Sequence, residues 1–181
     1  MGERIQGSIF SFLSSLFSKT GVRAVLAGGY AMNAYRLQRM TFDVDFVIKE
    51  EDLCKIEPEI LDKGYTVFNK TAAFIQYKGV LQGLRDIDFI FVGEKTLNNL
   101  LSHGKTVHFA GTSLIVPSAV HLITMKLHAI RSNPQRRMKD VPDIVFLMNS
   151  GNIDPHEESV RLLFEKYGAE DLYHNIIEGK Q

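Results

Sequence analysis

The sequence predicts an α+β fold: a mixed, mostly antiparallel sheet flanked by helices, with a helical C-terminal portion. Two observations predict it. Short runs rich in β-branched and aromatic residues fill the middle of the chain. Helical periodicity governs residues 3–19 and everything from Pro117 onward. The expected division is an α/β core of residues 1–116 and a helical portion, 117–181, packed on it.

Each element follows from the local pattern. Ile5, Ile9, Phe12, Leu13, Leu16 and Phe17 recur at helical spacing, and Thr20-Gly21 ends that helix as glycine commonly does. A short apolar run, Val22–Ala27, leads into Gly28-Gly29 and a helix-compatible stretch, Tyr30–Leu37. Thr41–Ile48 reads as a strand, because Phe42, Val44 and Phe46 alternate with Asp43 and Asp45. Residues 50–63 suit a helix closed by Gly64. Tyr65–Phe68, Ala72–Tyr77 and Leu84–Val92 are strands by composition. Residues 93–102 read as a helix, and Thr106–Phe109 and Ser113–Val116 as two further strands. Pro117–Arg131, Arg137–Met148 and His156–Ile177 read as helices, split by Asn133-Pro134 and Ser150-Gly151. Proline at 117 suits a first helical turn.

Composition narrows the function classes. A chain of 181 residues, 45% hydrophobic, buries roughly 70% of its unfolded surface, which excludes disorder. Its 21 basic and 21 acidic residues cancel, so no overall field draws it to nucleic acid or anionic membrane. The single cysteine, Cys54, excludes an intramolecular disulfide and a Cys-based zinc site, and matches a reducing, cytoplasmic location. Ile9–Phe17 is apolar but too short to span a bilayer; it reads as an amphipathic helix, with a weak signal peptide as the alternative. No membrane partner is expected.

The chemistry lies in Leu26–Ile48. Glycines where a strand meets a helix let phosphate oxygens approach backbone N–H groups, and the helix dipole favours negative charge there. By itself a pair such as Gly28-Gly29 is more often only a tight turn. After a gap of thirteen residues, Asp43-Val44-Asp45-Phe46 sets two carboxylates on one strand face. Such a pair repels itself unless a cation neutralises it, and magnesium is the usual hard cation beside a phosphate. Asp86-Ile87-Asp88-Phe89 repeats the pattern in a second apolar strand. Aspartate is depleted in strands, so two such pairs call for a cause. If the strands are neighbours, three or four carboxylates converge as a two-metal site requires.

The order Gly28-Gly29, Asp43-x-Asp45 and a later strand acid resembles the DNA polymerase β-type nucleotidyltransferase superfamily. The stretch LAGGYAMNAYRLQRMTFDVDFVI, with its Arg39-x-Thr41-x-Asp43-x-Asp45 run, is most similar to the small prokaryotic branch containing AbiEii-type toxins and relatives of the antibiotic nucleotidyltransferases. Pro117–Leu147 is similar to that branch's helical segment, so the resemblance spans roughly residues 22–148.

The resemblance implies roles residue by residue. Gly28 and Gly29 would meet the nucleotide phosphates, with Arg39 and Thr41 beside them. Asp43 and Asp45 would bind magnesium, two ions in all, with Asp88 as the third carboxylate and Asp86 its competitor. Lys126 would reach the triphosphate, and Lys139, Asp140 and Asp143 would line the cleft. One departure is Gly29, where many members carry serine. The implied reaction is transfer of a nucleoside monophosphate from a nucleoside triphosphate to a hydroxyl on an RNA or tRNA end, a protein or a small molecule. A toxin role would imply a cognate antitoxin. The rival readings are an inactive nucleotide- or partner-binding protein of the same fold, and a structural module whose acids are coincidental.

Other residues weigh less. His103, His108, His121 and His128 form no i,i+4 pair and no H-E-x-x-H, which argues against zinc. Arg131, Arg136, Arg137 and Lys139 form a basic cluster: a solvated face, or a patch that steers a triphosphate or an RNA end. Met125, Met138 and Met148 suit core filler, and Cys54 a structural position.

Overall fold

Five strands make the sheet that carries every acidic side chain of the Gly-Gly and D-x-D region. In the computed structural model, residues 2–37 and 41–179 are described, with side chains from residue 9 onward. Two compact units form, one of residues 1–34 and 38–117, the other of 35–37 and 118–181.

The first unit begins with α1 (Gly2–Thr20), β1 (Val25–Leu26), α2 (Gly28–Asn33) and β2 (Asp43–Ile48). After a 3-10 turn at Glu50–Asp52 come α3 (Leu53–Asp62), β3 (Tyr65–Lys70), β4 (Phe74–Gly79) and β5 (Asp86–Phe91). α4 (Glu94–His103) and a hairpin of β6 (Lys105–Phe109) and β7 (Thr112–Val116) complete it. The main sheet has the order β1-β2-β5-β4-β3, in which only the β2–β5 pair is parallel.

Period-two alternation sorts the sheet into two faces. Val44, Phe46, Ile75, Tyr77, Ile87 and Phe89 are each at most 1% exposed and form the core face. Phe17 of α1 sets its ring edge-on to Phe46, with centroids 5.1 Å apart, and also meets Phe89 at 6.3 Å. α1 ends as its sequence requires: Gly21 takes φ +68°, and the Val22 N–H reaches back to the Phe17 carbonyl at 3.0 Å. Phe10, absent from the expected apolar set, is fully buried against Tyr30 and Phe109. The expectation at Ile5 falls outside the described side chains.

Several boundaries differ from expectation for local reasons. β2 starts at Asp43 rather than Thr41, and Phe42 is 76% exposed instead of joining the alternation. α2 starts at Gly28 and stops at Asn33, short of Leu37, where Arg36 has a positive φ. β5 starts at Asp86, because Val80–Leu84 is spent on the turn from β4.

The second unit contains α5 (Ala119–Ser132), α6 (Arg137–Ser150), α7 (Glu158–Lys166) and α8 (Glu170–Ile177). The Ser118 side chain caps α5 by accepting from the His121 backbone N–H. His156–Ile177 is two helices, not one, since Gly168 turns the chain at φ +64° and lets Phe164 pack on Tyr173. Met148 is buried, but Met138 is 91% exposed on the solvent side of α6 and fills no core. Cys54 is an exposed free thiol on α3, its Sγ 3.3 Å from the Glu51 carbonyl. Among the described residues no helix is long and apolar enough to cross a membrane.

Phe46 carries the packing between α1 and the sheet. Phe46→Ala should cost about 3–5 kcal/mol in urea unfolding, and a loss below about 1 kcal/mol would show that the core face does not hold the strands as described.

Candidate active site

The parallel pairing of β2 with β5 sets Asp43 opposite Asp86, and Asp45 opposite Asp88. The two D-x-D pairs therefore occupy adjoining rungs on the face turned away from the core. Asp43 is exposed, while Asp45, Asp86 and Asp88 are half-buried. One ligating oxygen from each of Asp43, Asp45 and Asp88 lies within 4.8 Å of the others, and Asp86 stands outside this group. Asp86 is occupied elsewhere: its Oδ1 accepts from the Gly79 backbone N–H at 3.3 Å. Among the described residues this is the one cluster of three side chains arranged to hold a metal ion.

The donor set suits a hard divalent cation. Oxygens on one octahedral magnesium lie up to about 4.2 Å apart, twice the metal–oxygen distance, so a small side-chain rotation closes the three carboxylates onto an ion. Electrostatics points the same way. Burial pushes the Asp88 carboxyl above the ordinary aspartate range, the neighbouring Asp43 and Asp86 charges add to that, and a hydrogen bond from Gln76 opposes it. A cation among the three carboxylates would relieve the repulsion.

The glycines are explained by what occupies the space beside them. Gly28 has φ +58°, and a Cβ there would lie 1.9 Å from Asp45 Oδ2. No side chain larger than hydrogen fits without displacing that carboxylate. A Cβ on Gly29 would lie 2.8 Å from Thr41 Cβ and 2.9 Å from its Oγ1. The Thr41 hydroxyl thus sits beside the glycine that departs from serine, and it donates to Asp43 Oδ1 at 2.9 Å. Arg39 lies outside the described residues.

Two residues that order this region escaped sequence reasoning. Gln76 donates from Nε2 to Asp88 Oδ2 at 2.8 Å. Arg85 donates from Nη1 to the Thr41 carbonyl at 2.6 Å, with its guanidinium over the Tyr30 ring at 5.6 Å. Gln76 alternates with core-facing Ile75 and Tyr77, a signal for its face, but its partner depends on a cross-strand register that one sequence does not display. Arg85 carries no such signal.

The remaining expected residues lie in the second unit. Lys126 Nζ donates to Asp140 Oδ1 at 2.9 Å and to Asp143 Oδ2 at 2.6 Å, and Arg136 Nε donates to Asp140 Oδ2 at 2.8 Å. Asp140 is fully buried and Asp143 nearly so. Burial alone would raise the Asp140 carboxyl, but the Lys126 and Arg136 hydrogen bonds and charges outweigh it and hold it below the ordinary range. Lys126, Asp140 and Asp143 form one buried charge network, with the part-exposed Arg136 at its edge. Lys139 is exposed beside it. Within the basic cluster, Arg136 is committed to Asp140 and Arg137 to Asp171. His103, His108 and His121 each share a hydrogen bond with a neighbouring serine, and His128 lies edge-on to Tyr167.

Comparison with known proteins bears on the family and the fold. The model of the family described as nucleotidyl transferase AbiEii toxin, type IV toxin–antitoxin system, matches residues 11–179. A search of curated proteins returns no match. Among solved structures, ANT(2")-Ia in complex with adenylyl-2"-tobramycin superposes with a TM-score of 0.68 at 13% identity, covering 92% of this chain and 98% of that one. The lincosamide antibiotic adenylyltransferase LnuA, with lincomycin bound, gives 0.57 at 16% identity over 78% of this chain and 95% of that one. An antigenic nucleotidyltransferase-like protein from Paracoccidioides brasiliensis gives 0.58 at 13% identity over 95% and 92%. At these identities the likeness is one of fold.

The raised Asp88 value sets a sign. Its ionised form strains the metal-free fold, so stability present at low pH is lost as pH rises through the folded value. Asp88→Asn should therefore raise the melting temperature of the metal-free protein at pH 7, by about 2–4 °C per kcal/mol relieved. The gain should fade as pH falls towards 4, roughly the unfolded aspartate value. A melting temperature that drops at pH 7, in a chelator, would contradict the repulsion.

Proposed function

The chain belongs to the AbiEii nucleotidyl transferase family, and from that premise we propose that it transfers a nucleoside monophosphate from a nucleoside triphosphate to a hydroxyl acceptor. The observation that carries the proposal is the closing of Asp43, Asp45 and Asp88 on one another beside Gly28 and Gly29. The carboxylates would hold magnesium, one ion or two, which when bound neutralises phosphate charge. The backbone N–H groups at Gly28 and Gly29, where α2 begins, would meet the phosphate oxygens, as the family resemblance implies. Thr41 lies beside Gly29; Arg39, Thr41, Lys126 and Lys139 are carried over from the family resemblance as nucleotide contacts, and the buried Asp140 and Asp143 as the carboxylates that hold Lys126.

Asp88 suits the role of general base. That is the role the family resemblance implies for the third carboxylate of the cluster. It would take the proton of the acceptor hydroxyl as that oxygen bonds to the α-phosphorus. The bond from the α-phosphorus to the bridging oxygen breaks, and pyrophosphate leaves with the electron pair. Positioning and charge neutralisation supply most of the rate. The family description supports a toxin role with an antitoxin partner, and the two adenylyl-transferring neighbours support nucleotidyl transfer. An RNA or tRNA end is the acceptor class to try first, as one of those the family resemblance implies.

The test supplies each of the four ribonucleoside triphosphates, labelled at the α-phosphate, with magnesium and a pool of cellular RNA including tRNA. Magnesium-dependent labelling of an acceptor is expected, falling about 10²–10³-fold or more in Asp45→Asn. Nucleotide binding without pyrophosphate release, with RNA, protein and small-molecule acceptors all tried, would favour the inactive binding protein instead.

A further inference from the structure

The strand row that carries Asp45 and Asp88 does not stop at them. Asp45 stands opposite Asp88, Asp88 opposite Gln76, and Gln76 opposite Asn69, so one rung crosses four strands from β2 to the edge strand β3. Hydrogen bonds follow the outer part of this rung. Asn69 Nδ2 donates to Gln76 Oε1 at 3.4 Å, and Gln76 Nε2 donates to Asp88 Oδ2 at 2.8 Å.

The direction of the row is fixed by chemistry. An ionised carboxylate only accepts, so the Gln76 amide must turn its NH2 towards Asp88 and its carbonyl towards β3. That carbonyl then needs a donor, and Asn69 supplies one. β3 delivers Asn69 only by breaking its own register. Val67 pairs with Tyr77, yet Asn69 pairs with Gln76, which leaves Phe68 as an extra residue in a bulge. Without the bulge Phe68 would stand opposite Gln76. Instead its ring is 62% exposed and lies under the Lys78 ammonium at 4.0 Å.

We propose that Gln76 and Asn69 are positioning residues that fix the plane of the Asp88 carboxylate for the cation, and that the β3 bulge at Phe68 is what brings Asn69 into this relay. The proposal rests on the reading of Asp43, Asp45 and Asp88 as cation ligands. With Oδ2 engaged by the amide, the direction of Oδ1 is set before an ion arrives. Outer-shell partners of this kind typically contribute 10–100-fold in metal affinity.

Manganese binding to the full chain, read by electron paramagnetic resonance of the free ion, tests the relay without any turnover. Gln76→Leu should weaken binding about tenfold. The same change made in an Asp88→Asn background should have no further effect, because the residue acts through Asp88. The discriminating variant is Asn69→Asp. A new negative charge near the site would by simple electrostatics tighten cation binding. In the relay it weakens binding, and more than Asn69→Ala does, because an aspartate cannot donate and would draw the Gln76 NH2 away from Asp88.

Binding by Asn69→Asp as tight as wild type or tighter would overturn the relay, as would Gln76→Leu within about twofold of wild type, tenfold being the lower end for such partners. If Gln76→Leu fails to fold, the Asn69 variants, on an exposed edge strand, decide alone. Equal manganese affinity in wild type and Asp88→Asn would sink the ligand reading itself, and the relay with it. That failure is distinct from one in which Asp88 matters and Gln76 does not.

Discussion

Everything at the site depends on the parallel register of β2 with β5, which puts like charges on adjoining rungs. Four carboxylates so placed repel one another, and no β-sheet would choose that arrangement for stability. What holds it is the other half of the same alternation. Val44 beside Ile87, and Phe46 beside Phe89, are fully or almost fully buried, and they lock the two strands in the one register that also aligns the acids. A slip of one residue would turn the aspartates into the core. The strain on the polar face and the packing on the apolar face are thus one constraint seen from two sides.

Space, as much as charge, shapes the loop beside the acids. Gly28 gives its volume to Asp45 and Gly29 gives its volume to Thr41, so each glycine is required by a particular neighbour rather than by flexibility in general. Arg85 ties down the Thr41 carbonyl and Thr41 ties down Asp43, which orders the chain where it enters β2. The site is built largely by contacts that restrict motion, as a reaction governed by positioning requires. The buried Lys126–Asp140–Asp143 network restricts the second unit in a similar way.

Much of this was legible in the sequence because it lies in short-range pattern. The D-x-D alternation, the glycine pair and the helical spacing of α1 each need only a few neighbouring residues. What escaped depends on residues distant in the chain. The choice of Asp88 over Asp86 comes from the family resemblance, and the Gly79 hydrogen bond that occupies Asp86 is the long-range reason behind it. Gln76 and Arg85 gain their meaning from strands that the sequence does not show to be adjacent. Met138 misled because a methionine at helical spacing fits a core as readily as a solvent face. Gly168 misled because periodicity continues across a turn that one positive φ creates. Phe42 misled because alternation was extended one residue beyond the first ladder pair.

The claim that three aligned carboxylates form a cation site beside a phosphate loop can be tested in a single experiment. Crystals grown with manganese and a non-hydrolysable nucleoside triphosphate would be measured for anomalous scattering at the manganese edge. The geometry predicts a peak bounded by Asp43, Asp45 and Asp88, with phosphate oxygens against the Gly28 and Gly29 backbone. Manganese bound away from those three side chains, or nucleotide seated elsewhere with the carboxylates empty, would contradict it.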